Sequence, residues 1–243
     1  MIINPRVRGA YSRTFVKTWT RKMTVNSETS PLRFGPFEVT SQVFYTTPHS
    51  FALVNLKPLL PGHVLVCPQK PHKRLTDLSA PELTDLMQAV QRVQRMLARH
   101  YFPSSSTASS SREETAGEGG GIPEDGSFNI AIQDGAEAGQ TVPHLHVHVI
   151  PRIRGETAKS GDGPGDKIYE MMADENGNVG GALWDREQQK KHEDGGSSGN
   201  RPQPGGGFPR IEDADRQARS MREMEEEAKL FRDVLGSLDR EEP

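Results

Sequence analysis

This sequence predicts a single compact domain, built from a meander of short antiparallel strands and one core-facing helix and carrying low-complexity appendages. Three observations predict it. Short apolar or alternating runs are separated by bends rich in Pro and Gly. A long stretch after Ser79 repeats its apolar residues every three or four positions. The 243 residues include 24 Gly and 18 Pro but only 33% hydrophobic residues, so much of the chain lies outside any packed core.

The first 30 residues mix Arg and Lys with Ser and Thr and hold no acidic residue before Glu28. That pattern fits a mitochondrial transit peptide, a plain tail, or a leader ahead of a second start at Met23. Order is expected from about Leu32, with strands around Val43–Tyr45, Phe51–Leu56 and His63–Cys67. Pro58 and Pro61 mark the bend between the second and third of these, because proline cannot serve a central strand. Ser79, Pro81 and Glu82 read as a capping box, and Leu83, Leu86, Met87, Val90, Val93 and Leu97 form one stripe on a helix running to about His100.

Residues 103–126 collapse into Ser-rich and then Gly/Glu-rich sequence, expected as a disordered insertion. Ser127–Gln133 returns to strand character, with Phe128, Ile130 and Ile132 on one face and Asn129, Ala131 and Gln133 on the other. The domain is expected to span 31–172, ending in a short helical piece around Lys167–Met172. A low-complexity loop, 173–210, and a C-terminal helix, 211–243, follow. Ala214, Ala218, Met221, Met224, Ala228, Phe231, Val234 and Leu238 form that helix's stripe, Gly236 its stop, and docking on the domain its expected fate.

Composition excludes some classes. The net charge is −3, but residues 1–26 carry six basic residues and no acidic one, so removing that +6 leaves about −9. A body so acidic argues against nucleic acid as a partner. No apolar run approaches the roughly 18 residues that span a membrane. The single cysteine, Cys67, permits no internal disulfide and reads as a buried, inert thiol. A reducing compartment, the cytoplasm, is expected, with mitochondrial targeting or nuclear presence left open.

The chemistry concentrates in Pro143-His144-Leu145-His146-Val147-His148-Val149. A strand would turn His144, His146 and His148 to one face and the aliphatic residues to the other. Three imidazoles so placed have two uses, as metal ligands or as a nucleophile with supporting neighbours. Alternate residues of one strand stand about 6.5–7 Å apart, an awkward spacing for closing on one ion, and His63 is the only obvious extra ligand. Spacing alone leaves both open. A Gly-Lys-Ser/Thr phosphate loop is absent from the sequence, and the one Gly-x-Ser-x-Gly string, Gly195–Gly199, falls in low-complexity sequence and not at a strand-to-helix elbow.

The run resembles the histidine triad motif. Phe51-Ala52-Leu53-Val54-Asn55, Pro61-Gly62-His63-Val64-Leu65-Val66-Cys67-Pro68 and Gln133-Asp134-Gly135 through Gly139-Gln140-Thr141-Val142 are similar to the fragile histidine triad branch, the dinucleoside polyphosphate hydrolases. The resemblance covers about residues 32–172 without the insertion and resumes in the C-terminal helix. It implies an α+β fold, an antiparallel sheet of about five strands with one long crossing helix, paired as a homodimer. It further implies cleavage of diadenosine triphosphate or tetraphosphate at the α-phosphorus, giving AMP plus ADP or ATP.

By that resemblance His146 is the nucleophile, His148 stands beside the phosphate, His63 lies near the phosphate chain and His144 braces the array. Gln133 and Gln140 meet phosphate oxygens, with Thr141 near the leaving oxygen. Phe34, Leu53 and Asn55 line the nucleoside pocket, and Tyr169 belongs to a flexible loop. No tightly bound cofactor is implied; Mg2+ or Mn2+ travels with the polyphosphate. Relatives in the superfamily that hydrolyse nucleoside phosphoramidates, or a protein that signals through its substrate-bound state, are the alternatives. Pro143, Phe37 and the spans 103–126 and 185–210 depart from the family pattern.

The chemistry itself makes one structural demand. An attacking imidazole needs one unprotonated nitrogen, so the other must donate to a fixed acceptor, expected to be a backbone carbonyl.

Overall fold

The computed structural model describes residues 30–102, 126–157, 179–194 and 218–241. The basic leader, nearly all of the 103–126 insertion, Tyr169 and the helical piece at 167–172 lie outside the described residues. A two-strand hairpin, β1 (Arg33–Phe34) and β2 (Phe37–Glu38), turns at Gly35, whose φ of 57° favours glycine. A five-stranded sheet follows: β3 (Val43–Thr46), β4 (Ser50–Val54), β5 (Val64–Pro68), β6 (Gly126–Ile132) and β7 (Val147–Ile153). Its spatial order is β3-β4-β5-β7-β6 and every pairing is antiparallel, the expected α+β sheet.

Register assigns each side chain a face. Val54, Val64, Val149 and Ile130 form one row across four strands, and Leu53, Leu65, His148 and Ala131 form the next. Adjacent rows point to opposite faces. Helix α1 (Ala80–Tyr101) lies against β4, β5 and β7 on the Ile130 side, so the histidine row looks the other way. Pro151 is tolerated inside β7 because β5 pairs only with Val147, His148 and Val149, and β6 alone accompanies the proline.

The α1 start follows the sequence. Ser79 donates its backbone N–H to Glu82 Oε2 at 3.0 Å, and its hydroxyl reaches the same oxygen at 2.6 Å. Lys70, Ser79 and His72 together hold the Glu82 carboxyl well below its ordinary range. Leu86, Val90, Val93 and Leu97 are buried as expected, but the stripe is narrower than the sequence suggests, since Leu83 is 39% and Met87 45% exposed. The sheet under α1 ends at the strand of Ile130, itself 43% exposed, so among the described residues nothing covers the outermost positions of the stripe. Cys67 is fully buried, and burial pushes its thiol pKa up.

Three further expectations are corrected. The expected loop 173–210 contains a helix, α2 (Val179–Asp194), stabilised by packing rather than propensity. Val179, Ala182 and Leu183 enter the same core as Phe37, which is why an apolar residue suits position 37. The C-terminal helix, α3 (Met221–Glu241), starts ten residues later than expected, behind Ser220, whose N–H and hydroxyl both reach Glu223 Oε2 at 2.7 Å. It runs straight through Gly236, because Leu235 before it and Leu238 after it pack on the core.

Docking of α3 is as expected. Met224, Ala228, Phe231 and Leu235 are buried, Phe231 meeting Phe44 edge-on at 5.2 Å. Each large side chain so buried contributes roughly 1.5–3 kcal/mol.

Candidate active site

A further correction concerns the histidine run, which is only half strand. Pro143 offers no N–H, His144 N closes a tight turn on Val142 O at 2.8 Å, and β7 begins only at Val147. Leu145 N is tied to His72 O at 2.6 Å. The His146 and His148 ring centroids are 4.9 Å apart in a T-shaped contact. His63, His144, His146 and His148 are each at most 3% exposed.

Hydrogen-bond partners fix the tautomers one after another. Gly35 N donates to His144 Nδ1 at 3.0 Å, so His144 carries its proton on Nε2 and donates it to Pro68 O at 2.7 Å. A side chain at position 35 would bring its Cβ within 2.6 Å of Val142, so glycine is needed there twice over. His146 directs Nδ1 at His144 O, 2.8 Å away; a carbonyl can only accept, so the proton is on Nδ1 and the lone pair on Nε2. This is the backbone acceptor that the chemistry demands.

The remaining pair is set from the β4–β5 bend. Leu59 N donates to His63 Nδ1 at 3.1 Å, which leaves the His63 proton on Nε2, 2.9 Å from His148 Nδ1. His148 therefore accepts on Nδ1 and carries its proton on Nε2, a buried atom with no hydrogen-bond partner. The cluster thus presents one bare lone pair, on His146, beside one unmatched donor, on His148. Four imidazoles leave only those two nitrogens unengaged, and among the described residues no group of three or more His, Cys, Asp or Glu is placed to hold a metal.

Burial also keeps the rings neutral. It pushes His146 down to about 4, outweighing the opposing effect of the bond to His144 O. His144 is lowered, mainly by burial, and His148 is lowered strongly by burial and by the neighbouring His146 and His63.

The other expected residues divide. Phe34 is fully buried, its ring 5.1 Å from His146 in a T-shaped contact and 5.6 Å from His144. Asn55 accepts from Lys57 N through Oδ1 at 3.1 Å and sets Nδ2 3.3 Å from His63, while Leu53 shares the row of His148. Gln133 continues the polar face of β6 and lies against Gly139, whose added Cβ would stand 2.7 Å from its Nε2. Gln140 is engaged elsewhere: its Nε2 donates to Lys73 O at 2.9 Å, tying the turn to the β5–α1 connection. Thr141 Oγ1 accepts from Gly180 N, the second residue of α2, at 3.1 Å.

Sequence reasoning missed three contributors: Gly35, Gly180 and Arg219. Arg219 Nε donates to Asn55 O at 3.1 Å, its Nη2 reaches the same oxygen, and its backbone N–H bonds Leu56 O at 3.0 Å. Gly35 was legible as a tight turn, but nothing in the sequence links Arg219 to a residue 164 positions earlier.

Known proteins are similar to this chain. The HIT domain matches residues 36–155. The chain is 38% identical over 202 residues to a bis(5'-nucleosyl)-tetraphosphatase [asymmetrical] of Schizosaccharomyces pombe, covering 83% of this chain and 92% of that protein. It is 45% identical over 143 residues to a bis(5'-adenosyl)-triphosphatase of Dictyostelium discoideum, 58% of this chain and 78% of that one. Among solved structures, the Plasmodium falciparum diadenosine triphosphate hydrolase in complex with cyclomarin A aligns with TM-score 0.49 and 24% identity over 87% of this chain and 88% of that one.

Proposed function

We propose that this chain, which belongs to the HIT domain family and to its fragile histidine triad branch, hydrolyses dinucleoside polyphosphates. Diadenosine triphosphate or tetraphosphate is cleaved at the α-phosphorus to AMP and ADP or ATP. One observation carries the reading: the His146 Nδ1–H bond to His144 O, which leaves the Nε2 lone pair bare in a ring that burial keeps neutral.

The steps follow from that bond. His146 Nε2 attacks the α-phosphorus, the bond to the bridging oxygen breaks, and the remaining nucleotide leaves. The positive charge gained by the imidazole is met by the His144 carbonyl, which already accepts its proton. Charge building on the phosphoryl oxygens is met by His148 Nε2–H, a donor already in place and otherwise unmatched. Water then attacks the nucleotidyl-histidine, releasing AMP and restoring Nε2. Gln133 and Thr141 border the phosphates, and Phe34, Leu53 and Asn55 the nucleoside. Mg2+ or Mn2+ enters with the polyphosphate, held by its oxygens.

The test is direct. His146→Asn is expected to lower turnover at least about a thousandfold while AMP still binds. In heavy-oxygen water the label belongs in AMP. Label confined to ADP or ATP overturns the assignment of attack at the α-phosphorus.

The working form is a homodimer. Support comes from the exposed apolar residues Leu83, Met87 and Ile130, which line one concave patch beside β6, the last strand of the sheet. Grouped apolar exposure next to a strand edge is what a second copy would cover.

A further inference from the structure

A second cavity lies away from the histidines. It is a groove of about 470 Å³ between α2, the β4–β5 bend and the start of α3. That volume suits a nucleotide-sized ligand. Three cationic side chains line it, Lys57, Arg186 and Arg219, against one carboxylate, Asp185.

The cations differ in how well they are matched. Arg219 is held by Asn55 O and stands 2.7 Å from Glu227 as an ion pair. Arg186 is poorly matched: its Nε is buried without a hydrogen-bond partner, and its Nη1 faces the Met221 sulfur at 3.2 Å, a weak acceptor. Burial lowers its pKa, with Glu187 opposing, as for a cation incompletely compensated by its surroundings. Among the described residues the Lys57 ammonium makes no ion pair. An arginine so placed, beside a lysine, is a fork waiting for phosphate oxygens.

Two bonds tie the walls of the groove to residues beside the histidines. Lys57 follows Asn55 by two residues and bonds its side chain through the backbone N–H. On the other wall, α2 starts at Gly180, whose N–H is bonded to Thr141 Oγ1; an added Cβ there would sit 2.8 Å from Thr141 O, so only glycine allows this approach. Arg186 follows six residues later, about 9 Å along the helix axis. We propose that this groove binds the distal, departing nucleotide of the substrate, with Arg186 and Lys57 on its phosphates.

This rests on the hydrolase reading and adds that α2 selects for what is attached beyond the scissile bond. The experiment compares two substrates: diadenosine tetraphosphate, and an AMP ester of p-nitrophenol that has no second nucleotide. Arg186→Gln is expected to raise KM for the tetraphosphate about tenfold, the loss of a charge-assisted contact, and to leave kcat/KM for the ester within about twofold. Arg186→Lys should recover part of the difference. Lys57→Gln, with no change on α2, should show the same selectivity in smaller measure and serves if the Arg186 variants misfold.

Equal loss on both substrates, or none on either, overturns the subsite. So does an Arg186-dependent effect of added ADP on ester turnover without discrimination between substrates, since that assigns the groove to a free nucleotide. A wild-type protein that cleaves neither substrate would instead refute the hydrolase reading, so the two failures are distinguishable.

Discussion

His63 Nε2 lies 2.9 Å from His148 Nδ1, and Leu59 N–H, bonded to the far side of the His63 ring, fixes which of the two carries the proton between them. A backbone donor in a bend thereby sets the tautomer of a histidine on another strand.

His63→Phe removes that control without removing the ring volume. His148 can then place its proton on either nitrogen, so the donor proposed for the phosphoryl oxygens is no longer assured. The expected loss in kcat is about a hundredfold, the scale of losing one oriented donor to the transition state. Steady-state kinetics beside AMP titration check it; a full-strength enzyme would show that His63 does not orient His148.

The pH response follows from burial. Because His146 is lowered from 6.5 to about 4, the proposed nucleophile stays unprotonated until well below the usual histidine range. The acid limb of kcat/KM is therefore expected near pH 4 rather than 6.5. Stability moves in the matching direction: the unfolded chain takes up the proton near 6.5, the folded one not until about 4, so stability falls as pH drops through that window. Between pH 7 and pH 5 His146 alone accounts for about 2 kcal/mol of that fall. Denaturant titrations at pH 7 and pH 5 measure it, and a flat profile would contradict the buried neutral ring.

Assembly is tested on the other side of the sheet. Met87→Glu combined with Leu83→Glu should convert a sedimenting dimer into a monomer, while the thermal midpoint of the monomer changes little because both positions face solvent. A wild-type protein that sediments as a monomer would refute the dimer.

What was legible in the sequence was whatever local pattern determines. The Ser79–Glu82 capping box is a contact between neighbours, and α1 begins where it says. Gln133 on the polar face of β6 follows from alternation, whereas His146 was singled out by the family resemblance. What was hidden depends on packing between distant segments. Pro143 and the turn after it delay the start of β7 until Val147, past the first two histidines, a local signal noted in the sequence, but the tie from Leu145 to His72 that holds that turn was not readable. Helix α2 carries Gly180 and Gly181 and a polar majority, so intrinsic preference argues against it; its burial against Phe37 decides otherwise. Leu83 and Met87 obey helical spacing yet lie beyond the edge of the sheet, information that periodicity does not contain.

The bond from Gly35 N to His144 Nδ1 has a consequence for dissecting the protein. The HIT domain match begins at residue 36, one position after that donor, and ends before both Gly180 and Arg219. A fragment cut to the matched borders would keep every imidazole and the whole sheet. It would also lose the group that settles the His144 proton and the clamp on the Asn55 backbone. The recognisable segment is thus not a portable module: its reactive centre is wired from outside its own limits, and grafts or truncations should carry the flanking hairpin and the C-terminal helix with it.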